Sequence, residues 1–420
     1  MISTNHRIPI LFVHYGSDWI RGSERCLLDL LSHLDPDKFT AVVWCNSDIM
    51  ASAVKRLGVN VVCQPFPLLL GWRSPVFDVV GYLKLIKQGE KLVDQYAIQI
   101  IHSNSGAPCQ WLNIVARQKR LPLLAHLHCR YPLRDRITLG LHHVSQLIAV
   151  SNPVAMQYAN EGVDSSRIKV IANGIDKKRL EANSKINVKA LLKLTASDFV
   201  LCAAGSLIDR KGMDVLIDAL AQVRKKLIPA KLIIVGDGPC KPLLESQINE
   251  LSLTRHVFLL GERDDLASLL RGGVDIFLSG AREEVFGLVL AEAGLSELPV
   301  IAPDVGGIPE VVLRNKTGLL VPPESPVNTA QAIELLYQQP HFRRQLGRAA
   351  KQRIEQLFLI EKNVECFESC YLKMINTTGY QLTWWCHWSF KPLFNSVINF
   401  IYKKLNQQTL IRRFSQREMK

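Results

Sequence analysis

Residues 274–294 read VDIFLSGAREEVFGLVLAEAG. The first six are a short apolar run rich in β-branched and aromatic residues, which predicts a buried strand. From Leu288 to Leu298 the pattern LVLAEAGLSEL has helical periodicity, and it stops before Pro299, where a helix is expected to end. AREEVFG is then a strand-to-helix turn. The same alternation recurs along the chain. Strands are predicted at 8–13, 40–45, 59–63, 98–102, 122–127, 146–150 and 168–171, then at 198–204, 231–235, 256–260, 274–279, 299–302 and 318–321. Continuous apolar strands separated by helices predict parallel sheets covered on both faces. The charged stretch at about 177–197 has no strand pattern and is the best boundary. The fold class expected is α/β, with two domains in tandem. Ligands of such sheets bind beyond the carboxyl ends of the strands, so two facing domains would make a cleft there.

The chain has 420 residues, 48% hydrophobic and 21% charged. That is the profile of a soluble globular protein with room for a core in each of two or three domains. The first apolar run, IPILFV, is too short for a signal-peptide core and reads as a strand. The ten cysteines are scattered at 26, 45, 63, 109, 129, 202, 240, 366, 370 and 386. They are expected to be reduced core thiols of a cytosolic protein. A zinc site from Cys366, Cys370, Cys386 and His387 is disfavoured: neighbours at 386 and 387 would point apart on a strand, and C-x3-C alone is weak. Net charge is +13, and the last 42 residues carry seven cations against Glu418 alone. The body is therefore mildly basic, and the tail needs its own explanation.

Two acids in the quoted stretch, Glu284 in the turn and Glu292 in the helix, lie eight positions apart. Even in a continuous helix that is a rise of about 12 Å, so they do not suit the carboxyl pair about 5–5.5 Å apart of a retaining glycosidase. They suit the two ends of one long ligand. Between them the amides of Phe286, Gly287 and Leu288 stand at a helix N-terminus, which binds anions, and glycine lets a ligand approach closely. Acid, anion-binding amides, acid is an order that fits a sugar–diphosphate–ribose. It fits equally a helix N-terminus that simply favours acids.

Other pieces bear on that choice: RGSERCLLDLL near the start, LLAHLHC, IAVSNPV, VIANGID, GSLIDRKGMDVLIDAL, IIVGDGP, PVIAPDVGGIPEVV and GLLVPPES. With the E-x7-E of Glu284 and Glu292, in this order, the sequence over about 1–375 resembles the retaining glycosyltransferases of the GT-B fold, glycosyltransferase family 4 (group 1). The resemblance implies two Rossmann-like domains facing across a cleft. Residues 1–180 would bind acceptor, 181–197 would link, and 198–360 would bind a nucleotide-sugar. A C-terminal helix at 361–378 and a basic aromatic tail at 379–420 would follow. It implies that Glu284 contacts the transferred sugar and Glu292 holds the ribose hydroxyls, as carboxylates can. Lys211 matches the family's phosphate lysine, placing positive charge where the leaving diphosphate gains negative charge. The family's usual arginine is replaced here by Ser206; Arg210 is a substitute or is merely solvated. The Gly22 amide matches the one that meets the diphosphate, with Arg21 in place of a first glycine, although Ser23 and Glu24 also suit plain helix capping. His128 matches the active-site histidine; His126, on the same strand face, is the competitor.

The resemblance implies retention by same-face attack, with a UDP-, GDP- or ADP-sugar as donor, no other cofactor and no metal. The one D-x-D, Asp35-Pro36-Asp37, follows a helical pattern and reads as a proline turn. Residues 383–405, TWWCHWSFKPLFNSVINFIYKKL, combine tryptophans, helical apolar spacing and a basic end. This amphipathic tail, 380–420, suits an anchor lying on an anionic membrane surface, and no nucleic-acid module accompanies it. The loop 64–76, QPFPLLLGWRSPV, is either an edge connection or a wall for a greasy acceptor. The expected activity is transfer of a hexose to a lipid-linked or saccharide acceptor in surface polysaccharide or glycolipid synthesis, by a cytoplasmic protein peripheral on the inner face of the membrane. The alternatives are a sugar-nucleotide epimerase or a non-catalytic sugar-nucleotide-binding subunit on the same fold.

Overall fold

Every apolar run predicted as a strand forms one, with ends within two residues of those expected. The computed structural model describes residues 7–71, 77–376 and 398. In the first unit the strands are β1 (Ile8–His14), β2 (Phe39–Cys45), β3 (Asn60–Cys63), β4 (Ile100–Ser103), β5 (Leu123–Leu127), β6 (Gln146–Ala149) and β7 (Ile168–Val170). They form one parallel sheet in the order β3-β2-β1-β4-β5-β6-β7. In the second unit β8 (Phe199–Ala204), β9 (Ala230–Val235), β10 (Val257–Leu259), β11 (Ile276–Leu278), β12 (Val300–Pro303) and β13 (Gly318–Val321) pair in the order β10-β9-β8-β11-β12-β13. Both orders reverse direction once, between β1 and β4 and between β8 and β11. Those reversals are the topological switch points, where helices on opposite faces part and leave a crevice.

The chain divides at Ile171 and again at Val364, so residues from Glu365 belong with the first unit. The reason lies in side chains. In the helix Ile360–Asn376, Phe367 stacks on His102, and Tyr371 bonds His102 Nδ1 at 2.6 Å and packs edge-on against Phe39. Glu368 accepts the Asp35 amide at 2.8 Å. A second aromatic cluster, Trp44, Phe66 and Trp111, fills the first unit, with ring centroids 5.0–6.0 Å apart. Phe66 thus draws the start of the apolar loop 64–76 inward, while residues 72–76 lie outside the described residues. The stretch expected as a linker packs on the second unit. It carries the short helices Lys177–Glu181 and Val188–Leu191, and Ile186 and Val188 donate to the carbonyls of Ser268 and Gly272.

The tail from 379 onward lies outside the described residues except for Ile398. Among the described residues no helix is long and apolar enough to cross a membrane. All nine described cysteines are free. Five are buried, but Cys63, Cys129 and Cys366 are exposed, a correction to their reading as core residues: near an exposed strand end or on an outer helix face, neighbours in sequence do not enforce burial.

Candidate active site

In the second unit the loops after β8 and β11 flank the switch point. Lys211 ends a one-turn 3-10 helix, Asp209–Lys211, closed by Gly212 in the left-handed region. A side chain at Gly212 would meet the Gly280 carbonyl oxygen at 1.9 Å, so only glycine lets the two loops touch backbone to backbone. The loops are also stapled by Arg282. It donates to Asp214 through both terminal nitrogens (3.0 and 2.7 Å) and through Nε to Glu324 at 2.8 Å. Its bond to Asp214, ahead of that to Glu324, raises its basicity further.

Held this way, Lys211 Nζ lies 2.5 Å from Glu284 Oε2. Glu284 is buried at 9% exposure, and its backbone carbonyl accepts the Gly307 amide at 2.9 Å. Phe286 turns its ring inward, 5.7 Å from Phe358, so only its backbone can face a ligand. Gly287, at φ 92°, is the N-cap of the helix Leu288–Leu295 and supplies no capping side chain. Leu290 donates to the Gly287 carbonyl at 3.0 Å, so of the first-turn amides those of Leu288 and Val289 have no acceptor within the helix. Glu292 is half-buried in that helix. Ser206 lies two residues beyond the end of β8 and is half-buried, while Arg210 is exposed and donates to the Glu283 carbonyl at 3.1 Å.

At the switch point of the first unit a hydrogen-bonded network joins β1, β4, β5 and the helix Gly22–His33. Asn104 Nδ2 donates to the Ser23 carbonyl (3.0 Å) and to His14 Nδ1 (3.1 Å). A carbonyl only accepts, so Asn104 Oδ1 faces His128 Nε2 at 3.2 Å, and that nitrogen carries the proton. His14 in turn has its proton on Nε2, 3.1 Å from Glu24 Oε1. Burial pushes His128 well below the usual histidine range, aided by His126 and His14; it is neutral and presents Nδ1 as an acceptor. Burial would raise Glu24, but the pull of His14 together with the backbone amides of Glu24 and Arg21 outweighs it and holds the carboxyl below its ordinary value. Glu24 Oε2 accepts the Arg21 amide at 3.2 Å, so the capping chemistry read from the sequence is present beside Gly22. Arg21 lies 4.4 Å over Trp19. His126 is 2% exposed, its ring 4.0 Å from that of His128. It sits inside the unit, whereas His128 is half-buried at the strand end. Sequence reasoning missed Asn104, His14, Arg282 and Gly306. The available signal for Asn104 was a polar residue directly after a strand beside the switch point.

Asp35 and Asp37 sit at the amino end of β2, with Asp35 paired to Lys38 at 2.8 Å and accepting the Asp37 amide. Among the described residues no cluster of three or more metal-ligating side chains occurs.

Two doubly wound parallel sheets with polar groups at their switch points are the GT-B architecture, and solved glycosyltransferases share it. One from Rickettsia africae superposes with a TM-score of 0.77 at 20% identity, covering 89% of this chain and 100% of that one. Anabaena Alr3699/HepE, solved in complex with UDP-glucose, gives 0.72 at 24% identity over 87% and 100%. The family model Glycosyltransferase Family 4 matches residues 20–179, and Glycosyl transferases group 1 matches 186–353. The chain belongs to this glycosyltransferase family. Its relatives include the N-acetyl-alpha-D-glucosaminyl L-malate synthase of Bacillus anthracis, 26% identical over 71% of this chain and 81% of that one. They also include the GDP-mannose-dependent alpha-(1-6)-phosphatidylinositol monomannoside mannosyltransferase of Mycobacterium tuberculosis, 26% identical over 70% and 78%.

Proposed function

We propose that the protein moves a hexose, with retention of configuration, from a nucleotide-diphosphate sugar to a lipid-linked or saccharide acceptor in surface polysaccharide or glycolipid synthesis. The observation that carries this is the Lys211–Glu284 pair at 2.5 Å beside an uncapped helix N-terminus, at a switch point. A cation and a carboxylate so placed suit a diphosphate and a sugar hydroxyl side by side. In the proposed reaction the bond from C1 to the phosphate oxygen breaks and its electron pair stays on that oxygen. Lys211 and the amides of 286–288 stabilise the charge. The acceptor oxygen attacks C1 on the same face, and its proton passes to the departing phosphate. Glu284 orients the sugar and Glu292 the ribose; Ser206 and Arg210 flank the diphosphate. His128 and the Gly22 amide are the ligand contacts proposed in the first unit. No metal is required, because the ammonium and the helix N-terminus supply the positive potential. A cytoplasmic protein peripheral on the inner membrane face fits the basic, aromatic composition of 380–420.

The test is a panel of UDP-, GDP- and ADP-sugars with a lipid extract, following nucleotide release and the anomer of the product. Retained configuration with acceptor-dependent release is expected. Epimerisation without acceptor, or binding without turnover, would replace the transferase reading with one of its alternatives.

A further inference from the structure

The loop that leaves β5 through His128 is held from behind by a buried cluster of charge. Tyr131 lies in that loop, Arg136 in the helix Leu133–Thr138, His142 in the one-turn helix Leu141–His143, and Glu161 two residues past the helix Asn152–Ala159. Each is at most 7% exposed. Glu161 Oε2 accepts Arg136 Nε at 3.0 Å and His142 Nε2 at 2.7 Å, and its Oε1 accepts a second bond from Arg136. Burial would raise the Glu161 carboxyl, but His142 and Arg136 together hold it below its ordinary value. The other terminal nitrogen of Arg136 donates to the Tyr131 carbonyl, which also accepts Gln157 Nε2 at 2.8 Å. A buried ion pair adds little stability over apolar side chains of its size; what it can supply is one fixed arrangement. Here it fixes the backbone of Tyr131.

The side chain of Tyr131 reaches the site. Its hydroxyl accepts the Gly106 amide at 2.6 Å. Burial pushes the phenol well above its ordinary range, so it stays protonated. A carbon added at Gly106 would meet the Tyr131 ring at 2.6 Å, so ring and backbone are already in contact. Gly106 is two residues past Asn104, and Tyr131 three past His128. Tyr131 thus ties together the ends of β4 and β5, the two strands that bring Asn104 to His128. Of the three bonds made by the Asn104 side chain, at 3.0, 3.1 and 3.2 Å, the one to His128 is the longest. It is the first to be given up if the loop of Gly106 shifts. We propose that Tyr131, backed by Arg136 and Glu161, is a positioning residue that holds Asn104 against His128 and so keeps the proton on Nε2. It works through Asn104 rather than on the ligand. The proposal rests on the transferase reading only for its effect on rate.

The test has a readout that needs no turnover. In the full chain labelled with heavy-nitrogen histidine, long-range proton–nitrogen spectra report which ring nitrogen carries the proton, and His128→Gln assigns the signal. The wild type should show the Nε2–H form. Tyr131→Phe keeps the ring and removes the acceptor of the Gly106 amide. It should mix in the Nδ1–H form and lower kcat about fivefold, the worth of one ordinary hydrogen bond, with KM for the donor little changed. Arg136→Met with Glu161→Gln removes both charges, leaves His142 an acceptor, and should act the same way in a folded protein. Thr317→Val is the control. It removes a hydroxyl that accepts the Leu313 amide at 2.8 Å in the second unit, and should lower stability without moving the His128 signal or kcat. A folded Tyr131→Phe protein whose His128 signal is that of the wild type overturns the proposal, whatever its rate. So does a change of the same size in Thr317→Val, since Tyr131 then acts through stability alone. Should the paired charge variant fail to fold, Tyr131→Phe decides by itself. Absence of nucleotide release with every donor strikes the transferase reading, and the His128 signal still decides this one.

Discussion

Gly306→Ala perturbs the Glu284 carboxylate without touching its side chain. Gly306 has φ 54°, and an added Cβ would sit 1.8 Å from the Glu284 carbonyl oxygen. Reaching even 3.0 Å, closer than real Cβ contacts come, means separating the two backbones by about 1.2 Å, the difference between those distances. The Gly307 amide grips the same oxygen at 2.9 Å, so the displacement passes directly to Glu284 and to its 2.5 Å contact with Lys211. Misplacing a reacting group by about 1 Å can lower turnover about 100-fold. Stability falls by about 1–2 kcal/mol for alanine in the left-handed region, and by about 1 kcal/mol more if the Gly307 bond is lost. Gly58→Ala is the control: its φ is 73°, but nothing lies within 4 Å of the added carbon. It should show the conformational loss alone, with turnover intact. Initial rates of nucleotide release and urea unfolding of both variants decide the matter. A folded Gly306→Ala protein with wild-type turnover would refute the argument that this backbone contact sets the carboxylate.

Arg282→Ala should remove the staple between the loops of Lys211 and Glu284, lowering stability by about 1–3 kcal/mol and turnover with it; denaturation midpoints and rates measured together check this. Glu284→Ala should abolish turnover while leaving nucleotide affinity within severalfold, read by calorimetry against rates. Acid should destabilise the fold early. Burial, helped by neighbouring histidines, holds His102 down at about 3 and His126 well below 6.5. Below pH 6.5 the unfolded chain binds protons that the folded one refuses, so stability falls by up to about 1.4 kcal/mol per pH unit for each. Urea unfolding between pH 7.5 and 5 measures it, and His126→Phe should flatten the slope. Activity should survive EDTA; loss of turnover restored by manganese would contradict the metal-free electrostatics.

The strands were legible because each is a local apolar run whose burial on both faces leaves a mark in composition. The turn holding Glu284 and the helix holding Glu292 were legible for the same reason: strand pattern, glycine and helical period lie within one short stretch. The resemblance to the family then pointed to Lys211 and His128 by motif. What stayed hidden was the company those residues keep. The strand's end favoured His128 over His126, but what buries His126 was hidden: Phe367, packed 4.9 Å from its ring, arrives from the far end of the chain.

The amino-acid order alone therefore determined that there are two parallel α/β sheets and which loops follow their strands, because hydrophobic period and turn residues act over a few positions. Tertiary structure decided the pairing of Lys211 with Glu284, the proton on Nε2 of His128 and the staple at Arg282. These depend on atoms 73, 24 and 68 positions apart in the chain, and hydrogen-bond partners at such separations are chosen by packing, which no local pattern encodes.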